Sequence, residues 1–268
     1  MKKYFTNKSF IIGSILFFIL ITFLVLGFIF LPYDYNQIDT QNKFSNFSRE
    51  HIFGTDYLGR DIFSRIVIGM SISVGIGFTV MIFSLFFGTI LGALSGFFGG
   101  TTDKIISKLT DTQMSFPGIL LALMLIAIFD TSIKILIIAL TIISIPRVTR
   151  IAKSGFLKYK NSLFVLNAKS KGASNFRILF YHILPNVIPD LIVTSTLNFS
   201  LSILSESGLS YLGIGIQPPL PSLGKMLSEG QRFILQNPSN IIITALFLIL
   251  LVLSLNLIGD GISEVNQK

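Results

Sequence analysis

Long uncharged runs alternate along this chain with shorter segments that collect charge, glycine and proline. A helix rising 1.5 Å per residue needs about 20 apolar residues to cross a bilayer. Six runs meet that length: residues 9–31, 66–98, 105–129, 133–151, 187–216 and 241–258. The second is long enough to tilt or to extend past the hydrocarbon. The third starts polar, with Lys108, Asp111 and Gln113, and is interrupted at Pro117 and Gly118. The pattern predicts an all-α integral membrane fold of about six spans. Within the second run, Gly88, Gly92 and Gly96 recur every fourth residue and share one helical face. Small residues at that spacing let two helices approach closely in lipid. Packing inside the chain, contact with another subunit and a pore-lining role are all open from this spacing.

The segment between the fourth and fifth runs has a different character. From residue 131 to 189 there is no Asp or Glu, while Arg147, Arg150, Lys153, Lys158, Lys160, Lys169, Lys171 and Arg177 crowd its middle. Asn161 and Ser162 can cap a short helix over 163–171, and Gly172 suits the left-handed residue that ends it. Ser174 can cap a second helix over 175–184, with Phe176, Leu179, Phe180 and Ile183 as its apolar stripe and Ala168 as an exposed small position on the first. This helix–Gly–helix elbow contains no nucleophile, general base or phosphate-cradling glycine loop. It reads either as a docking surface for a protein or as an interfacial helix held by anionic lipid.

Composition narrows the class. Of 268 residues, 51% are hydrophobic and 13% charged, against about 25% charged in soluble domains. The net charge of +8 sits in loops beside apolar runs, so it marks the cytoplasmic side of a membrane rather than nucleic-acid binding. There is no Cys and there are two His, His51 and His182, which excludes thiolate chemistry and leaves no His-based metal cage. The first run outlasts the apolar core of a signal peptide and no cleavage site follows it, so it is expected to be a retained span. Lys2, Lys3 and Lys8 place the N-terminus inside. The 101–108 turn, the cationic elbow and the C-terminus then also fall inside. Residues 32–65, the turn at Asp130 and residues 217–237 fall outside. The prolines of the latter, Pro218, Pro219 and Pro221, predict an ordered crossover followed by a short helix over 222–235.

The stretch from Phe164 to Asn186 resembles the EAA loop of ABC-importer permeases: Glu-Ala-Ala, three variable residues, Gly, then Ile-x-Leu-Pro. Two other segments, Phe53–Arg65 and Ser205–Gly224, resemble motifs of the dipeptide, oligopeptide and nickel permease branch, as do Ser115–Gly118 and Pro146–Arg147. The resemblance runs from about His51 to Asn237. It implies a type I ABC-importer permease fold, with a first helix and extracytoplasmic segment over 1–65 and a core over 66–268, and a coupling loop at about 152–186. Asn167, Ala168, Lys169, Ser170, Lys171, Gly172, Ala173 and Ser174 would form the coupling contact. The implied partners are a second homologous permease subunit, two ATP-binding subunits, an extracytoplasmic substrate-binding protein and membrane lipid, with no nucleic acid. ATP and Mg would be bound by the partner ATPase and no cofactor by this chain. The implied cargo is a peptide, or nickel or another metal chelate. The chain departs from the pattern at Leu166, where the family carries Glu, and at Asn167, where it carries Ala; a weakly active paralogue would share that departure.

Other candidates are less tied to the motif. Glu206 in the fifth run would line the pathway, contact a gate or make a structural hydrogen bond. Asp111 and Gln113 would line the inner half of the pathway or simply mark its polar entry. Gly54, Asp56, Gly59, Arg60 and Asp61 form a turn-rich external motif, with internal pairing favoured over contact with the binding protein. No residue is a candidate catalyst or metal ligand, so no enzyme is expected. A secondary transporter driven by an ion gradient is the main rival. It would need a cluster of buried acids, for which Glu206 alone gives little support.

Overall fold

The computed structural model describes residues 7–129 and 131–267. Lys2, Lys3 and the turn at Asp130 lie outside the described residues. Five helices are long and apolar enough to cross a membrane: α1 (Lys8–Ile29), α2 (Ile62–Phe98), α5 (Ile133–Lys160), α8 (Leu184–Tyr211) and α10 (Pro238–Gln267). The third predicted span is not straight. It is α3 (Gly100–Met114) and α4 (Gly118–Phe129), bent by 90° at the break between them. Pro117 explains the interruption, since proline disfavours the α conformation in the residue before it. The short elements among the described residues are α6 (Leu163–Ser170), α7 (Asn175–Arg177), a π-helix (Ile178–Ile183) and α9 (Leu223–Gln231).

Local chemistry sets the helix ends. Asn7 caps α1 by accepting from the Phe10 N–H at 3.0 Å, and Asp61 caps α2 by accepting from the Ser64 N–H at 2.7 Å. Gly99, at φ +69°, ends α2. Tyr211 ends α8 earlier than the apolar run suggested, because Gly213 turns left-handed at φ +85° and Ile214 and Gly215 bond back to the Leu209 carbonyl. The crossover that follows has a cis bond between Pro218 and Pro219 and leads into α9, capped by Ser222.

The bundle is built on α2, α5 and α8, with α1 packed on α10 at one side. The glycine ladder of α2 is the seam with α5. A Cβ at Gly88, Gly92 or Gly96 would lie 2.6 Å from Val148 Cβ, 2.4 Å from Ala152 Cβ or 2.8 Å from Phe156 Cβ. The spacing therefore serves packing inside the chain. The same device joins α1 to α10, where Gly13 and Gly261 meet backbone of the other helix below van der Waals distance for any added Cβ.

Two predicted features of the elbow are corrected. Ala168 is buried, not exposed, because α6 turns that face onto Phe97, Phe156 and Ile178. The second helix is only α7 in α-helical form. It widens into a π-helix over Ile178–Ile183 that runs without a break into α8. The wide turns fall just before Pro185, whose missing N–H cannot close an α turn onto Tyr181. The predicted stripe divides accordingly: Leu179 and Ile183 are buried, together with Ile178, which lay outside it, while Phe176 and Phe180 are exposed.

Candidate functional site

The elbow at one end of the bundle is a rigid platform with an uncovered outer face. Gly172 takes φ +78°, and nothing lies within 4 Å of an added Cβ there, so its requirement for glycine is conformational alone. Its N–H donates to the Lys169 carbonyl at 2.9 Å, and the Ala173 N–H donates to the Ala168 carbonyl at 3.0 Å. Those bonds close the end of α6 as a left-handed cap does. Ser174 then starts the next element by accepting from the Arg177 N–H at 3.3 Å. Below, Val165, Ala168, Ile178, Leu179 and Ile183 pack on Phe156, Val187 and Leu191. Lys169 places its ammonium 5.5 Å from the centre of the Phe97 ring.

The outward side of that platform is apolar at its centre. Leu163, Phe176 and Tyr181 are 79%, 69% and 78% exposed, and the rings of Phe176 and Phe180 meet at 4.4 Å. Leu166, at the position of the departure from the family pattern, is exposed as well. Asn167, Lys169, Ser170 and Lys171 are exposed around it, with Arg177 beside them. A cluster of this kind, with a cationic rim and no carboxylate, fits a partner surface that is apolar in the middle and acidic at its edge.

At the opposite end, the external motif folds in on itself. A Cβ at Gly59 would come 1.6 Å from the Asp39 carbonyl oxygen, and one at Gly54 would come 2.4 Å from that of Ser45, so both positions must be glycine. Asp61 accepts from the Ser64 N–H and hydroxyl, both at 2.7 Å, and meets His51 Nδ1 at 3.0 Å. Asp56 accepts from the Arg60 Nε at 2.7 Å, and Glu229 Oε2 on α9 accepts from both Arg60 and Arg65, at 3.0 Å each. Burial works to lower the Arg60 pKa, but Asp56 and Glu229 outweigh it and raise it above its ordinary value. Arg65 and Glu229 escaped sequence reasoning. They are 164 residues apart, and only the fold brings them together.

The remaining candidates have distinct surroundings. Glu206 is fully buried. Its carboxyl accepts from Ser73 at 2.6 Å and Ser210 at 2.7 Å, with Ser207 at 3.3 Å. Ser210 in turn accepts from the Ile216 N–H at 3.0 Å, so this group fastens α2, α8 and the crossover together. Gln113 donates its side-chain amide to the Ile142 carbonyl. That carbonyl lies four residues before Pro146 in α5, which has no N–H to offer it. Asp111 is exposed and pairs with Arg150 at 2.7 Å, beside a second pair between Asp103 and Lys153. Glu206 is thus far from Asp111 and Gln113 in environment and joins no common cluster with them. No group of three or more His, Asp or Glu able to hold a metal ion occurs among the described residues.

Residues 88–268 match the family model described as binding-protein-dependent transport system inner membrane component. The dipeptide transport system permease protein DppC of Alkalihalophilus pseudofirmus is 39% identical, over 96% of this chain and 85% of its own. The oligopeptide transport system permease protein OppC of Bacillus subtilis is 35% identical, over 98% and 87%. The glutathione transport system permease protein GsiD of Pectobacterium atrosepticum is 37% identical, over 87% and 78%. Among solved structures, an inward-facing form of the MetNI methionine ABC transporter superposes with a TM-score of 0.61 at 18% identity, covering 75% of this chain and 96% of that one. That likeness concerns the fold.

Proposed function

The chain belongs to the family of binding-protein-dependent transport system inner membrane components, and from that premise we propose that it is the pathway-forming subunit of an ATP-driven importer of peptides. The family is one of transport permeases, not enzymes. The cargo reading rests on the relatives named for dipeptide, oligopeptide and glutathione transport, which favour peptides over nickel or metal chelates. The chain carries no phosphate-binding loop of the Gly-rich, Lys-Ser/Thr type, so energy must come from a separate ATPase that binds ATP and Mg.

The observation that carries this reading is the elbow. It has a buried foot in the core, an exposed apolar centre and a cationic rim. In this proposal each ATP-binding subunit receives such an elbow, one from this chain and one from a second, homologous permease. Leu163, Leu166, Phe176 and Tyr181 take the place of the missing acidic contact. The elbow, the N-terminus and the C-terminus face the cytoplasm, and the Asp56–Arg60–Glu229 end faces the binding protein. Asp111 and Gln113 stand at the inner half of the pathway, and Glu206 holds its outer end together.

Gly172→Val tests the proposal. A β-branched residue at φ +78° is strained, while the empty space around it spares the core. The variant is expected to insert and assemble normally but to hydrolyse ATP without coupled uptake. Fully coupled uptake by this variant would refute the elbow's role. So would the failure of crosslinkers placed along 162–175 to capture a nucleotide-hydrolysing subunit.

A further inference from the structure

Beside the bend between α3 and α4, two cations of α5 are paired and a third is not. Arg150 holds Asp111 and Lys153 holds Asp103, but Arg147 is exposed and makes no ion pair or hydrogen bond with any described residue. It lies 14 residues into α5, about 21 Å along the helix axis from Ile133. That is near the middle of this 28-residue helix, and an unpaired guanidinium in the middle of a span is costly against lipid and faces water or a partner instead.

Its neighbours on the helix show what it faces. Residues 143, 147 and 150 share one face of α5. Ile143 lies against Gly118 at the start of α4, 3.0 Å from an added Cβ, and Arg150 binds Asp111 near the end of α3. Arg147 therefore sits opposite the break between α3 and α4. Phe116 and Pro117 are exposed there, in backbone that is not helical. Two recesses adjoin the bend, one of about 240 Å³ lined by Asp111, Thr149 and Arg150, the other of about 190 Å³ lined by Gln113, Phe116 and Pro146, the residues next to Arg147 in sequence or across the bend. Non-helical backbone at membrane depth is stable only when covered by protein or lining water. The unpaired charge and the interrupted helix occur at the same level and make the same demand.

We propose that Arg147 lines the aqueous passage at the α3–α4 bend and contacts the terminal carboxylate of the peptide as it passes. This rests on the importer reading above. A guanidinium presents two parallel N–H donors that match a carboxylate. Asp111 and Asp103 neutralise the adjacent cations, so Arg147 is left as the free positive charge at the bend.

The test uses the full importer complex in proteoliposomes. This chain has no Cys, so Arg147→Cys gives it a single thiol. The charged reagent MTSES, which does not enter hydrocarbon, is expected to modify that thiol on this subunit in the absence of ATP or after vanadate trapping. No modification in either state would place the residue in lipid or in a subunit contact and overturn the proposal. The second measurement compares uptake of tri-alanine with uptake of its C-terminal amide. Arg147→Gln is expected to slow the free acid about tenfold more than the amide, with Arg147→Lys in between. Equal slowing of both peptides, or of neither, would also overturn it. If the wild-type complex takes up neither peptide with ATP, the importer reading itself falls, whereas labelling of the thiol reports on exposure independently of cargo.

Discussion

Removing the Glu229 side chain isolates the electrostatics that hold together the end of the bundle opposite the elbow. Oε2 of Glu229 accepts from Arg60 and Arg65 at 3.0 Å each, and their side chains are only 8% and 3% exposed. Asp56 lies 2.7 Å from Arg60 Nε but 3.7 Å from Arg65 Nε, so it compensates the second guanidinium less well. Glu229→Ala therefore strands Arg65, one of whose nitrogens, Nη1, already has no partner. Deleting one member of a buried pair costs about 3–5 kcal/mol, mostly as the penalty of the charge left behind. At about 2–4 °C per kcal/mol for chains approaching this size, the thermal midpoint should fall by roughly 6–20 °C. The assay is the thermal midpoint of the purified complex in detergent, followed by the loss of its size-exclusion peak. Adding Arg65→Leu to Glu229→Ala removes the stranded charge and should recover part of the loss. A midpoint within about 2 °C of wild type for Glu229→Ala, or no recovery in the double variant, would refute the reasoning. Either result would mean that water reaches the network and screens it.

Two further substitutions probe the bundle. Gly92→Leu places a side chain where even a Cβ would be 2.4 Å from Ala152 and 2.6 Å from the Thr149 carbonyl oxygen. Overpacking of this kind costs about 1–3 kcal/mol or more, so the subunit should fail to accumulate in membranes, whereas Gly75→Leu, with nothing within 4 Å, should accumulate normally; immunoblotting of membrane fractions decides it. Gln113→Leu leaves the Ile142 carbonyl without a donor and should cost about 1–3 kcal/mol. Restoring the N–H through Pro146→Ala in the same chain should recover most of the lost thermal stability, and failure to do so would mean that Gln113 acts in some other way.

The sequence disclosed what depends on local chemistry and hid what depends on distance along the chain. The apolar runs located the long helices, and the left-handed residue at Gly172 followed from the polar turn around it. The depth of Ala168 was misjudged because a helical pattern does not say which of two neighbouring faces meets the core. Here Phe97 and Phe156, from two other helices, close over it. The partnership of Gln113 with Pro146 was equally hidden. Each was visible as an unusual residue in an apolar run, but only folding sets the amide of one beside the carbonyl that the other orphaned. Glu229 offered no signal, since a lone acid in an external helix looks like any solvated charge until two buried arginines are seen to converge on it.

The positions of these contacts bear on how the proposed importer moves. The glycine seam leaves α2 and α5 little room to slide, and Glu206 ties α2 to α8 through Ser73. These three helices therefore behave as one block. The elbow joins that block without a hinge, because the π-helix runs directly into α8 and its buried side chains pack on α5 and α8. The α3–α4 pair is attached differently: α3 meets α5 through one exposed ion pair, one half-buried pair and the Gln113 bond to Ile142, and its junction with α4 is a break in the helix rather than a packed seam. The exposed pair, Asp111–Arg150, is worth little and exchanges readily with water, so this contact is polar where the α2–α5 seam is close-packed. On the importer reading, a force on the elbow would turn the α2–α5–α8 block as a unit, and the compliant contact would be the bend beside Arg147.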